Sequence, residues 1–189
     1  MARRGTTEAQ TRIWVRDVVR SGLLTPEEEY AEVAGVVGVD HPRLDAAVTA
    51  REWIADEHSQ WEADAGSWPE PTDHERLEAA FVAIRAAGIL VLAPCVDHWA
   101  ARDALRADPS AAGVAWFRPE DVWHAIDEPM LEINLWHPST ANAAPGDQLL
   151  DDVLALVREQ GLSARFEEGR VEVAARWQRR PAESHRKYV

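Results

Sequence analysis

The chain has 189 residues, room for one ordinary domain with an appendage, and a chain of this size buries about 70% of its unfolded surface without needing disulfides or metal. Its single cysteine, Cys95, excludes an internal disulfide and suits a reducing compartment; no run approaches the ~18 apolar residues of a membrane span, and no apolar stretch follows MARRGTTEAQ, so neither a membrane partner nor secretion is expected and the cytoplasm is the predicted location. A net charge of −13 predicts repulsion from nucleic-acid phosphate.

Residues 1–66 read as helical. Thr7 with Gln10 can cap a helix from Glu8 to Ser21, stopped by Gly22. Thr25-Pro26-Glu27-Glu28 is a second start, with Thr at the cap, Pro at the first helical position and Glu at the third. Tyr30, Val33, Ala34 and Val37 give that helix an apolar stripe, and Gly38 is expected to end it. A third helix is predicted from Pro42 to Asp64, with Leu44, Val48, Ile54 and Trp61 on its apolar side. A Gly- and Pro-containing linker follows.

The stretch from Ser67 to Leu92 starts an α/β unit. Thr72 and Glu75 form a capping box, Leu77, Phe81 and Ile84 share one helical face, and Gly88 ends the helix. Ile89 to Leu92 then reads as a buried strand. A short helix is predicted near His98 to Ala107, a strand at Gly113 to Phe117, and a helix at Pro119 to Asp127. Leu131 to Trp136 alternates, with Leu131, Ile133 and Leu135 on one face and Glu132, Asn134 and Trp136 on a wetter one. Asp147 is an N-cap candidate for a helix carrying Leu149, Leu150, Val153, Leu154 and Val157, which Gly161 ends. Ala164 to Phe166 and Arg170 to Ala174 predict a closing hairpin. The prediction is an α+β fold: a mixed sheet of about four or five strands packed by helices on one face, preceded by an N-terminal helical segment. The predicted division is 1–66, 67–177 and a basic tail, 178–189.

WPEPTDHERLEAAFVAIRAAGI, GVAWFRPEDVWHAI and LLDDVLALVREQGLSARF with a closing RWQRR together resemble a bacterial domain family of unknown function, common in actinobacteria, over about residues 68–180. The resemblance implies no activity. It does imply a cysteine cluster, C-C-x-x-C-G, after the first strand. Here that place reads Pro94-Cys95-Val96-Asp97-His98, with one cysteine present and His98 where the last would stand. It also implies a His before x-x-Asp at the end of the second strand. Arg118 takes the His position and Asp121 matches. A metal or redox role shared with the family therefore lacks most of its ligands here.

From spacing alone, Cys95-x-x-His98 is half a zinc site. His124, His137 or Asp121 could complete it only by folding close. The competing expectation is a buried thiol beside a surface histidine, and no cofactor. Asp40-His41, Glu57-His58, Asp73-His74 and Asp97-His98 read as helix-start or solvent pairs. Of nine tryptophans, Trp14, Trp53, Trp116 and Trp177 are expected in the core. Trp99 and Trp136 are candidates for an exposed protein interface. P-loop, G-x-G-x-x-G, G-x-S-x-G and H-E-x-x-H motifs are absent from the sequence.

Two functional expectations result. The leading one is a protein-binding regulatory or interaction module, in one version an acidic inhibitor or immunity-type protein that covers a basic enzyme surface. The alternative is a small-ligand binder or enzyme, with or without metal, using Cys95, His98, Arg118, Asp121, Glu132 and His137, which sit at strand ends and in the loops after them. Nucleic acid is the least favoured partner, with the basic tail its one support.

Overall fold

The computed structural model describes residues 6–95 and 97–181. The expected tail lies outside the described residues from 182 onward. Among the described residues the fold is α+β, with seven helices and one five-stranded mixed sheet. No described helix is long and apolar enough to cross a membrane. The chain divides into two compact units: described residues up to Trp68 together with Arg179 to Pro181, and Pro69 to Gln178.

The first unit comprises α1 (Glu8–Ser21), α2 (Pro26–Asp40) and α3 (Ala46–Ala65). Capping boxes at Thr7/Gln10 and Thr25/Glu28 start α1 and α2, as expected. Gly38 does not end α2, which continues to Asp40. In α3, Asp45 caps the helix by accepting from the N–H groups of Ala47 and Val48, both at 3.1 Å. The expected stripe is displaced. Leu44 precedes the cap and Val48 lies nearly opposite Trp61 around the helix, so both are exposed. Ala50, Trp53 and Trp61 form the buried side instead. Trp14 is only half-buried, because Val15, Val18 and Val19 take the inner face of α1.

Arg179, expected in a solvated tail, is 2% exposed in this unit. Its guanidinium donates to the carbonyl oxygens of Ser21 (3.4 Å) and Gly22 at the C-terminus of α1. A cation there complements the helix dipole and its unsatisfied carbonyls. The backbone oxygen of Arg179 accepts from Trp61 Nε1 of α3 at 2.9 Å. Gly22 is required: its φ is +60°, and a Cβ would stand 2.9 Å from the guanidinium.

The second unit is built on the strand order β1-β2-β3-β5-β4: β1 (Ile89–Leu92), β2 (Gly113–Trp116), β3 (Leu131–Trp136), β4 (Ser163–Glu167) and β5 (Arg170–Ala174). The β1–β2 pair is parallel and the others antiparallel. One face carries the main core. Leu131, Ile133 and Leu135 lie with Val171, Val173 and Ala115, under α4 (Asp73–Ala86) and α7 (Gln148–Glu159). Leu77, Phe81 and Ile84 of α4 are buried, as their spacing predicts. Phe117 continues this core past β2, 5.6 Å from Phe81 and 6.0 Å from Trp177 between ring centroids. His74 lies in the first turn of α4, the helix-start position expected of it, and is buried edge-on to Trp177 at 4.6 Å.

Helices are not confined to one face. Ala101 and Leu105 of α5 (His98–Ala107) pack on Val114 and Trp116, the side of β2 opposite Ala115. The strand β1 is one edge of the sheet, β4 being the other, and of the β1 residues only Ile89 is fully buried. The helix α6 (Pro119–Asp127) links β2 to β3. Farther along the face that α5 covers at β2, the strands β3, β5 and β4 carry a charged ladder. Glu132 and Glu172 are direct cross-strand neighbours, and like charges so placed repel. Arg170 pairs with Glu132, and Arg165 with Glu172 at 2.6 Å, which offsets the repulsion.

Candidate functional site

The amide of Cys95 donates to the Phe117 oxygen at 2.7 Å, tying the chain after β1 to the end of β2. Asp97 then caps α5, accepting from the N–H groups of Trp99 (2.9 Å) and Ala100 (3.0 Å). With Ala101 and Leu105 turned to the sheet, the helical period puts Trp99, Arg102 and Arg106 along the outer side. Trp99 is 52% exposed. The Arg102 guanidinium lies over its indole, 4.4 Å from the ring centroid.

Aromatic rings connect this exposed indole to the sheet. His98 lies 4.3 Å from Trp99 and 6.5 Å from Trp136, and Trp136 meets Trp116 edge-on at 5.3 Å. Trp116 is buried, Trp136 half-buried and Trp99 exposed, so the series runs from core to surface. The main chain fixes its middle. Val114 pairs with Trp136 across the β2–β3 ladder, and a Cβ on Gly113 would stand 2.6 Å from the Trp136 oxygen.

A family model for a domain of unknown function (DUF6891) matches residues 5–181. The chain belongs to this family. The match takes in the stretch that carries the resemblance and extends it through α1, α2 and α3. No curated protein and no solved structure matches the chain.

In this DUF6891 chain the other candidate residues separate into small, internally satisfied groups. Cys95 is buried under α5, and its Sγ donates to the Asp97 oxygen at 3.0 Å. Burial pushes its thiol pKa up, which keeps the thiol protonated and poorly nucleophilic. Among the described residues, no group of three or more His, Cys, Asp and Glu side chains is placed to hold a metal ion. Arg118 is the N-cap of α6, and its amide donates to Asp121 Oδ2 at 2.8 Å, which makes Asp121 the cap's carboxylate. Burial raises the Asp121 pKa, against that hydrogen bond and the nearby Arg118 and Arg170 charges. Arg118, Asp121 and Glu132 thus share one electrostatic neighbourhood with Arg170. Each is occupied there by a cap or an ion pair.

His137 stands apart, with Nε2 2.9 Å from Asp147 Oδ2. Asp147 occupies the N-cap position of α7, but its carboxylate turns back to His137 and to the Ala144 amide (2.7 Å) instead of capping the helix. Both bonds, His137 first, hold its pKa below the ordinary carboxylate range. They pin the loop between β3 and α7.

That loop forms a feature missing from the sequence-level candidates. Pro138, Ser139 and Thr140 face Arg102, Leu105, Arg106 and Pro109 across a cleft of about 430 Å³. The i, i+4 spacing of Arg102 and Arg106 is visible in the sequence. Their meeting with a loop over thirty residues away depends on the β2–β3 pairing. A smaller cleft of about 180 Å³ lies between Pro129-Met130 and the β4–β5 hairpin. Neither cleft is lined by Cys95, His98, Arg118, Asp121, Glu132 or His137.

Proposed function

We propose that the chain is a protein-binding regulatory module that docks its partner through the exposed side of α5, with Trp99 as the central contact and Trp136 behind it. The observation that carries this reading is the exposed Trp99 indole, braced by His98 and Arg102 on a capped helix. A rigid, half-exposed tryptophan brings large apolar area to a contact and has little side-chain freedom left to lose. The net charge of −13 supports a basic partner, met in the cytoplasm, in the manner of an acidic inhibitor or immunity-type protein. The same charge argues against nucleic acid as the partner. No cofactor enters this reading.

The test is capture of partners from a native lysate of the source cells by the wild-type chain and by Trp99→Ala. A specific partner retained by the wild type and lost by the variant is the expected result. No partner at any salt concentration, or one retained equally by Trp99→Ala, overturns the reading.

A further inference from the structure

The two charged residues lining the larger cleft are both arginines, although the chain as a whole is strongly acidic. Asp103 partly compensates them, 3.0 Å from Arg102 and 3.6 Å from Arg106. It occupies only Nε and Nη2 of Arg102, two of the five N–H donors of a guanidinium. Arg106 is 68% exposed at its side chain. Across the cleft, the hydroxyls of Ser139 and Thr140 have no protein hydrogen-bond partner among the described residues. Leu105, Pro109 and Pro138 supply apolar walls. Cationic donors, hydroxyls and apolar walls together suit a carboxylate on a short aliphatic stem. Arg102 belongs to both the cleft and the Trp99 stack, which makes the cleft and the exposed indole one continuous surface.

We infer that this cleft seats an Asp or Glu side chain from an extended segment of the protein partner, while a neighbouring apolar side chain of that segment lies on Trp99. This rests on the docking reading above and gives the partner's segment its chemistry. Overall charge and local anchor act at different ranges. The net negative field draws in a partner that is basic as a whole, and the cleft then selects an acidic side chain on it.

The probe is acetyl-Leu-Glu-Leu-Glu-Leu-amide, with the Gln peptide as its neutral counterpart, titrated into the full chain and followed by NMR. The Glu peptide should shift the side-chain Nε–H signals of Arg102 and Arg106, the Thr140 amide and the Trp99 indole, and saturate. The Gln peptide should bind about ten-fold more weakly, the effect of losing one charge-assisted hydrogen bond. Arg102→Gln with Arg106→Gln should erase the difference between the two peptides. Equal binding of both peptides, or a preference that survives the double variant, overturns the inference. Saturation of the same signals by inorganic phosphate with no response to peptide also overturns it, in favour of a small-anion site. A partner captured by the wild type and the double variant alike, but lost by Trp99→Ala, removes the cleft assignment and leaves the docking reading standing. Peptide selectivity at the cleft alongside capture unaffected by Trp99→Ala supports the cleft and removes the docking reading.

Discussion

Trp99 and Trp136 sit in one aromatic series but differ in what they hold in place. Trp99 is half in water, so Trp99→Ala should change unfolding free energy by within about 1 kcal/mol. Trp136 packs edge-on against buried Trp116, and its truncation should destabilise by about 2 kcal/mol or more. Urea melts of the two variants check this. A large loss from Trp99→Ala would show that the residue is structural and unsuited to a binding test. His58 offers a second prediction at this scale. Its bond to buried Glu29 (3.1 Å) is the main cause of a raised pKa, reinforced by the Glu29, Glu62 and Glu57 charges and opposed by burial. A raised folded-state pKa means stability that is fully present below the unfolded value, about 6.5, and lost as pH rises through the folded value. His58→Gln should therefore lower the melting temperature more at about pH 5 than at about pH 9. Equal losses at both would sever the link between His58 and Glu29.

At the scale of elements, Gly113 is the sharpest test of how the sheet presents its aromatic side. The first strand residue of β2 lies against β3 with no room for a methyl group. A Cβ would meet the Trp136 oxygen at 2.6 Å and Leu149 Cδ2 at 2.8 Å. Gly113→Ala should cost several kcal/mol, within the range for overpacking or more, and should shift the indole signals of Trp116 and Trp136. A variant as stable as the wild type would contradict the β2–β3 register. Much at this scale was legible beforehand, because it is written locally. Thr7, Thr25 and Thr72 each announce a capping box three residues ahead, and alternation along Leu131 to Trp136 gives that strand and its inward face. What stayed hidden depends on residues distant in sequence. Nothing within α5 says that it crosses to the opposite face from α4. Nothing within Pro138-Ser139-Thr140 says that the loop will meet Arg102. Asp147 shows how a correct position can mislead: the cap site was right, yet the histidine at the other end of the β3–α7 loop claims the carboxylate.

At the scale of the whole molecule, the two units are interleaved along the chain, since residues 179–181 rejoin the helical unit after the sheet unit is complete. Arg179 is what makes that return matter. Arg179→Met keeps much of the buried volume but strips the α1 carbonyls of their donors, which should destabilise by about 3 kcal/mol, the scale of buried hydrogen bonds to a charged group. Hydrogen exchange should rise first in α1 and α3, which the residue joins. Unchanged protection there would mean that Trp61 and the valines of α1 suffice. The same clasp imposes an order on synthesis. When the last turn of α3 leaves the ribosome, the group that will close off α1 has yet to be translated, and the whole of residues 69–178 must be made before it exists. The unit begun first is finished last.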